Sequence, residues 1–292
     1  KYVEIEGKPG DLSLARSAES IVEGMAVDQE MISDTQSLES LMLGIRETLG
    51  GSWAPSVTIG MPSRDVLLRI VEMPPMETED AREALKWDFD KYFPFPYSEA
   101  TFDLGAVATP GDADRENQKY IVAAARLHIV QSLLDIARRA GIRAAAVEPV
   151  NVALFRCARG MIPRPSEGSM VVSVGRSSSQ IVVGYGDNGI LYRTLLVGGE
   201  ASSGSGESFA AVAREVSSTF TYLGSQFRDM KVEEIILGGD YADEQPLKDA
   251  IESVASIPVV PSDPWSSWGI RGAPEKSAGW ESSIGLAVRD LV

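Results

Sequence analysis

The chain has 292 residues, 44% hydrophobic and 24% charged, with a formal net charge of −15. That length supports two domains or two lobes with substantial cores. So acidic a surface repels phosphate backbones and anionic headgroups, which excludes nucleic acid and an anionic bilayer face as partners; no apolar run approaches the roughly 18 residues that span a membrane, so direct insertion is excluded too.

Reading from the start, "KYVEIEG" and "LSLARSAESIV" predict two strands joined by the turn "KPGD". "TQSLESLMLGIRETLGG" predicts a helix, with Thr35 and Glu39 near its start and Gly50 past its end. "SVTIGMP" is the strand that follows. No signal peptide is expected ahead of these elements.

From Met61 to Ala145 the order changes to strand, helix, strand, strand, helix. "DVLLRIVEMP" is the first strand, and "ETEDAREALKWDFDKYF" is a helix whose acidic first turn suits the macrodipole. Its end, "KYFPFP", crowds aromatics beside two prolines that stop the helix. Trp87, Tyr92, Phe93 and Phe95 are expected to anchor that joint. "ATFDLGAVAT" and "KYIVAAARL" are strands across the polar loop "PGDADRENQ", and "IVQSLLDIARRAG" is a helix ended by Gly141. The one histidine, His128, falls at this helix's start, a surface position, and leaves no material for a Ser-His-Asp triad or a histidine metal site.

"EPVNVALFRCAR" opens a helix at Glu148 and carries the one cysteine, Cys157, on an apolar stretch, where a buried thiol is expected rather than a nucleophile. A single cysteine rules out an internal disulfide and suits a reducing compartment. "SMVVSVG", "SQIVVGYG" and "GILYRTLLVGG" predict a meander of strands, with "GDNG" as a tight hairpin turn. A helix follows, with Phe209, Val212, Val216, Phe220 and Leu223 at helical spacing, then strand "EEIILGG", helix "EQPLKDAIESVA" and strand "IPVVP". The low-complexity "GEASSGSGES" ahead of the long helix reads either as a short natural connection or as an engineered linker. The tail holds three of the five tryptophans among Gly, Pro and Ser before a last helix near Glu281. Those rings either bury against the lobe or present a sticky surface.

The second half thus runs three strands, helix, strand, helix. The first half repeats this order without its opening strand, and a strand ahead of Lys1 would complete the match. This duplication is the pattern of the actin/Hsp70/hexokinase superfamily. "MPSRDVLLRIVEMPPM", "ALKWDFDKYFPFP", "EPVNVALFR", "ILGGDY" and "IPVVPSDPW" resemble the PilM family, the actin-like cytoplasmic proteins of type IV pilus assembly. The cytoplasmic domains of type II secretion L proteins are close relatives. The resemblance implies an α/β fold of two actin-like, ribonuclease-H-like lobes with an α+β insertion subdomain in the first. Residues 1–150 form the first lobe, with the insertion at about 61–145, and 151–292 form the second.

The resemblance also implies a nucleotide cleft for ATP with magnesium. Its phosphate hairpin corresponds to Ser173, Gly175, Ser177 and Ser178, and its sugar and base loops to Gly198, Gly199, Gly238 and Gly239. Where the superfamily has Asp-x-Gly, this chain has Ser173-Val174-Gly175, and a neutral hydroxyl is a poor magnesium ligand. Backbone N–H groups of the turn can still cradle a phosphate, and a plain polar turn with no ligand stands equally open. Nucleotide binding is expected to be weak or lost, with no useful ATP hydrolysis and no metal site. An active actin-superfamily ATPase or a sugar-kinase-like phosphotransferase is the alternative, with Glu148 as candidate base or, more plainly, a helix-start residue.

For the partner, the resemblance implies the N-terminal tail of a PilN-like single-span membrane protein, held in a groove between first lobe and insertion. Val66, Leu68 and Ile70 on the edge strand and Tyr92, Phe93 and Phe95 at the joint are the residues expected to meet it. The other reading of the aromatics is that they plug the insertion's own core. The implied location is cytoplasmic, at the inner membrane through that partner, and a homo-oligomer is left open.

Overall fold

Pro9 and Gly10 fold the first strands, β1 (Tyr2–Lys8) and β2 (Asp11–Ala18), into an antiparallel hairpin. The computed structural model describes residues 1–20, 35–111, 117–162, 168–200, 205–227 and 230–291. Parts of the "PGDADRENQ" loop and of the proposed linker "GEASSGSGES" therefore lie outside the described residues. Helix α1 (Thr35–Thr48) buries Met42 and Ile45 one turn apart, and its end is closed by the N–H of Gly51 donating to Arg46 O at 2.9 Å. Strand β3 (Val57–Met61) follows.

The insertion begins with β4 (Val66–Met73), α2 (Thr78–Tyr92), β5 (Ala100–Ala106) and β6 (Gln118–Arg126). Its sheet runs β4-β6-β5, antiparallel throughout. Side chains alternate across a strand. Leu67, Val71 and Met73 therefore meet Ala81, Leu85 and Phe89 of α2 in one core, while Val66, Leu68 and Ile70 point to the opposite face.

Helix α3 (Leu127–Arg139) does not close this small core, although the sequence order places it in the insertion. Its apolar stripe, Ile129, Leu133, Ile136 and Ala137, packs with Met42 of α1 and with Ile59 and Met61 of β3. Periodicity identified the buried stripe but not what would cover it. His128 is exposed in the first turn, as expected. Strand β7 (Ala144–Pro149) then pairs in parallel with β3, Ile59 opposite Val147. Helix α4 (Val150–Ala158) leads to the second lobe with Cys157 fully buried.

The second lobe follows the expected order. Strands β8 (Gly168–Val174), β9 (Ser179–Tyr185) and β10 (Asn188–Leu195) form the meander, and helix α5 (Ser205–Gln226) follows. Next come β11 (Val232–Gly238), α6 (Gln245–Ala255) and β12 (Val259–Pro261). The sheet order is β10-β9-β8-β11-β12, with β11 parallel to β8 and to β12. Both faces are covered, so β8 reads as a near-continuous apolar run. Met170, Val172 and Val174 join Val212 and Val216 of α5 and Leu247 of α6, and Val171 joins Leu154 and Phe155 of α4 on the other side.

The tail does not stay with the second lobe. After α7 (Pro264–Ser267), β13 (Ile270–Arg271) lies parallel to β2, and α8 (Glu281–Ala287) packs along α4. Trp265 and Trp280 are buried edge to face, 6.4 Å between centroids, among Leu12, Cys157, Ile270 and Ile284. Each tryptophan N–H finds a carbonyl: Trp265 donates to Ser277, Trp280 to Lys276, and the half-buried Trp268 to Cys157. These rings tie the end of the chain onto the β1–β2 hairpin. The first lobe's strands fall in two separate sheets, β1-β2-β13 and β3-β7, with no pairing of β1 to β3 among the described residues. Helix α8 touches both β1 and β3.

At the crossing of α4 and α8, a Cβ on Gly285 would collide with the carbonyl oxygen of Ala153. The two backbones touch there, so Gly285→Ala should cost about 2–3 kcal/mol in chemical denaturation. Gly44, inside α1 with open space around it, is the control. Gly44→Ala should stabilise the protein by about 0.5–1 kcal/mol.

Candidate functional site

The sheet face that carries Val66 and Leu68 looks across a cavity of about 720 Å³ toward the joint between the lobes. Its first wall is apolar, made of Val66, Leu68, Ile121, Ala123 and Ala125 at alternating strand positions. The second wall is the end of β7 with Val152, Phe155 and Arg156 of α4. The third is the β9–β10 turn, Asp187 to Gly189, with Tyr192. Charge is confined to the joint side and the rim, where Asp103, Arg159, Asp187, Arg289 and Asp290 stand.

Glu148 anchors the joint side. Its buried carboxylate lies 2.6 Å from Arg156 Nη2 and 3.2 Å from Arg289 Nε. Arg156 Nη1 also donates to Gly285 O at 3.0 Å, so one guanidinium links β7, α4 and α8. Both guanidinium groups occupy the carboxylate, so this geometry gives no support to Glu148 as a catalytic base. Burial pushes the Tyr192 hydroxyl well above its ordinary pKa, so it stays protonated. On the rim Arg159 pairs with Asp187 at 2.6 Å. The outer edge of β5 is covered by Arg82 of α2, which donates to Phe102 O and, at 2.6 Å, to Asp103 Oδ1. Such capping blunts an edge strand.

The six residues expected to meet a partner separate. Val66 and Leu68 line the cavity. Ile70, on the same face, packs against the second-lobe core. Phe93 and Phe95 are only 4% and 8% exposed, on the far side of the sheet, and Tyr92 packs partly against the same core. Pro94 and Pro96 keep the chain extended after α2, so both phenylalanine rings fall on one side and lean on Phe89, with centroids 4.6 and 6.0 Å away. Trp87 reverses its expectation as an anchor of that core, being 90% exposed. Ala81, Leu85 and Phe89 define the inward stripe of α2, and position 87 lies opposite it.

The eight residues of the proposed nucleotide cleft do converge. Ser173 stands opposite Gln180 on β9 and Gly238 on β11. The turn after β8 closes on itself, Gly175 N–H donating to Ser178 O at 3.0 Å. Gly199 and Glu200 then donate to Gly175 O and Arg176 O, both at 2.9 Å. A Cβ on Gly198 would strike the Arg176–Ser177 peptide, one on Gly199 the Tyr241 ring, and one on Gly239 the Val174 backbone. The glycines thus let three loops of the chain approach each other. Arg176 pairs with Glu200 at 2.8 Å, and Lys1 with Asp240 at 2.6 Å. Glu281 Oε1 accepts the Gly239 N–H at 3.2 Å, and burial raises its pKa above the ordinary 4.5. Glu281 was not singled out in the sequence, where it reads only as the first acid of the last helix.

The family model for type IV pilus assembly protein PilM matches residues 1–205. The chain belongs to the PilM family. Among solved structures, a PilM–PilN type IV pilus biogenesis complex aligns with TM-score 0.76 and 21% identity, over 99% of this chain and 95% of that one. The cytoplasmic domain of EpsL, an inner-membrane component of the Vibrio cholerae type II secretion system, aligns at TM-score 0.47 and 11% identity, over 86% and 79%. A Bacteroides thetaiotaomicron protein with an actin-like ATPase fold aligns at 0.43 and 12%, over 77% of each chain. A search of curated proteins returned no match. The fold of this PilM-family chain is α/β and matches that of the PilM–PilN complex structure, and no helix among its described residues is long and apolar enough to cross a membrane.

The buried Glu281 gives a pH prediction. Its folded pKa is raised, so ionising it opposes folding. Its contribution therefore improves as pH falls through the raised value and levels off below the unfolded value of about 4.5. Glu281→Gln keeps an acceptor for Gly239 and removes the titration. The variant should be more stable than wild type at pH 7, and the gap should narrow as thermal melts are repeated toward pH 4.5.

Proposed function

We propose that the chain is a scaffold of a type IV pilus inner-membrane assembly platform, and that the groove between insertion sheet and lobe joint seats the N-terminal tail of a PilN-like single-span membrane protein. The observation that carries this reading is the cavity of about 720 Å³, apolar on the sheet side and charged at the rim. An extended tail presents aliphatic side chains to one wall and leaves its polar groups at the other. The similar structure whose description names a PilM–PilN complex supports the same class of partner. A bacterial tail ahead of a membrane span tends to be basic, and a net charge of −15 favours its capture. Val66 and Leu68 contact the tail on this reading, whereas Tyr92, Phe93 and Phe95 hold the sheet rigid from behind. The protein then works in the cytoplasm, attached to the inner membrane through the partner.

Nucleotide hydrolysis is no part of this function. A triphosphate needs free backbone N–H donors, and those of Gly175, after β8, and of Gly199 and Glu200, after β10, are spent on the chain's own carbonyls. A magnesium ion needs carboxylates, yet Ser173 is neutral, Glu200 and Asp240 are ion-paired, and Glu281 is turned to Gly239. The arrangement does not fit ATP with magnesium.

Two measurements test the proposal. Leu68→Asp should weaken binding of a synthetic PilN-type tail peptide at least tenfold, about 1.4 kcal/mol, with the circular dichroism spectrum unchanged. Equal affinity in the variant would move the partner elsewhere. Calorimetric titration with ATP and magnesium should show no binding at millimolar nucleotide, and magnesium-dependent turnover lost in Ser173→Ala would overturn the degenerate-cleft reading.

A further inference from the structure

We infer that the outer face of α2 is a second docking surface, and that its occupant is an arginine-bearing segment of another polypeptide. The face lies on the far side of the insertion sheet from the groove. Trp87 stands at its centre, 90% exposed, with Asp80, Glu83 and Asp90 at i−7, i−4 and i+3 on the same side of the helix. Burial of Ala81, Leu85 and Phe89 holds the helix down from beneath, so the indole has no part in the core. Glu83 is paired with Lys86, but among the described residues Asp80 and Asp90 meet no cation.

The neighbouring rings show what Trp87 lacks. Arg126 lies 4.9 Å from the Phe95 centroid, Arg82 5.9 Å from Phe102, and Lys86 5.9 Å from Tyr97. Trp87 has the most electron-rich ring of the group, and among the described residues no cation covers it. An indole flanked by carboxylates selects a guanidinium, which stacks on the ring while its N–H groups reach the acids. Anionic lipid is repelled by the same acids. A second copy is disfavoured because two chains that each carry a net charge of −15 repel one another.

The test uses the full chain and an alanine-based helical peptide with arginines at i, i+4 and i+7, titrated at low and moderate salt. Wild type should bind it, Trp87→Ala should weaken binding about tenfold, and Trp87→Phe should keep part of the affinity. The pair Asp80→Asn and Asp90→Asn should weaken binding and flatten its salt dependence. As a charge-matched control, Glu244→Gln with Asp249→Asn on α6 should leave it unchanged. Circular dichroism spectra of all variants should match wild type, since these side chains are exposed. The proposal is overturned if wild type does not bind, if Trp87→Ala binds equally well, or if the α6 control weakens binding as much. A wild-type dimer in sedimentation that Trp87→Ala dissolves would also overturn it, because the face would then belong to a second copy.

Discussion

The backbone contact between α4 and α8 at Ala153 and Gly285 is the constraint on which the arrangement of the lobes depends. Helix axes separated by side chains tolerate small shifts, but helices that touch backbone to backbone are fixed in register and rotation. Charged groups beside the contact reinforce it. Arg156 donates to the Gly285 carbonyl and forms an ion pair with the Glu148 carboxylate, and Arg289, just past α8, reaches the same carboxylate. Buried ion pairs contribute little net stability, but leaving one charge unpaired is costly, so they act mainly by specifying one geometry. The first lobe thereby gains, through α8 and the tryptophan-bearing tail, a share of its core from the far end of the chain.

The groove and the loop cluster follow from that joint. With α4 pinned, one end of β7 and the β9–β10 turn become two walls of a cavity whose third wall is the insertion sheet. The sheet can serve as a wall because α2 and the Phe89–Phe93–Phe95 stack cover its other face. The aromatic-proline string is thus upstream of the groove physically without lining it. Elsewhere in the second lobe, the loops after β8, β10 and β11 are drawn so close that only glycine fits between them.

Much of this is legible in the sequence, and all the failures but one share a cause. The second lobe's element order, the hairpin turns, the helix stop at Pro94 and the buried Cys157 are local properties, set by turn chemistry and periodicity. What the sequence could not supply was the identity of the surface that a periodic stripe meets. The apolar face of α3 was visible, but its cover turned out to be α1 and β3 rather than the insertion's own core. The tail tryptophans were expected to bury, yet their partner is the first lobe's hairpin. Trp87 misled for the opposite reason: hydrophobic character argued for burial, whereas its position, two residues beyond Leu85, argued against it. Helical phase was the better guide, and it was available from the start.

The glycine pairs show how one residue type serves two different ends. In a nucleotide cleft, missing side chains let a ligand approach the backbone. Here the volume cleared by Gly198, Gly199 and Gly239 is taken by Arg176, Tyr241 and Val174 of the same chain. The freed hydrogen-bonding groups are taken in the same way, by neighbouring carbonyls and by Glu281. Loops that bind each other need no ligand to become ordered, so the chain's own contacts hold this side of the joint. On the proposed scaffold reading that order matters, because a groove built on the same helix α4 would keep its shape before a partner arrives and spend less of the binding energy on ordering.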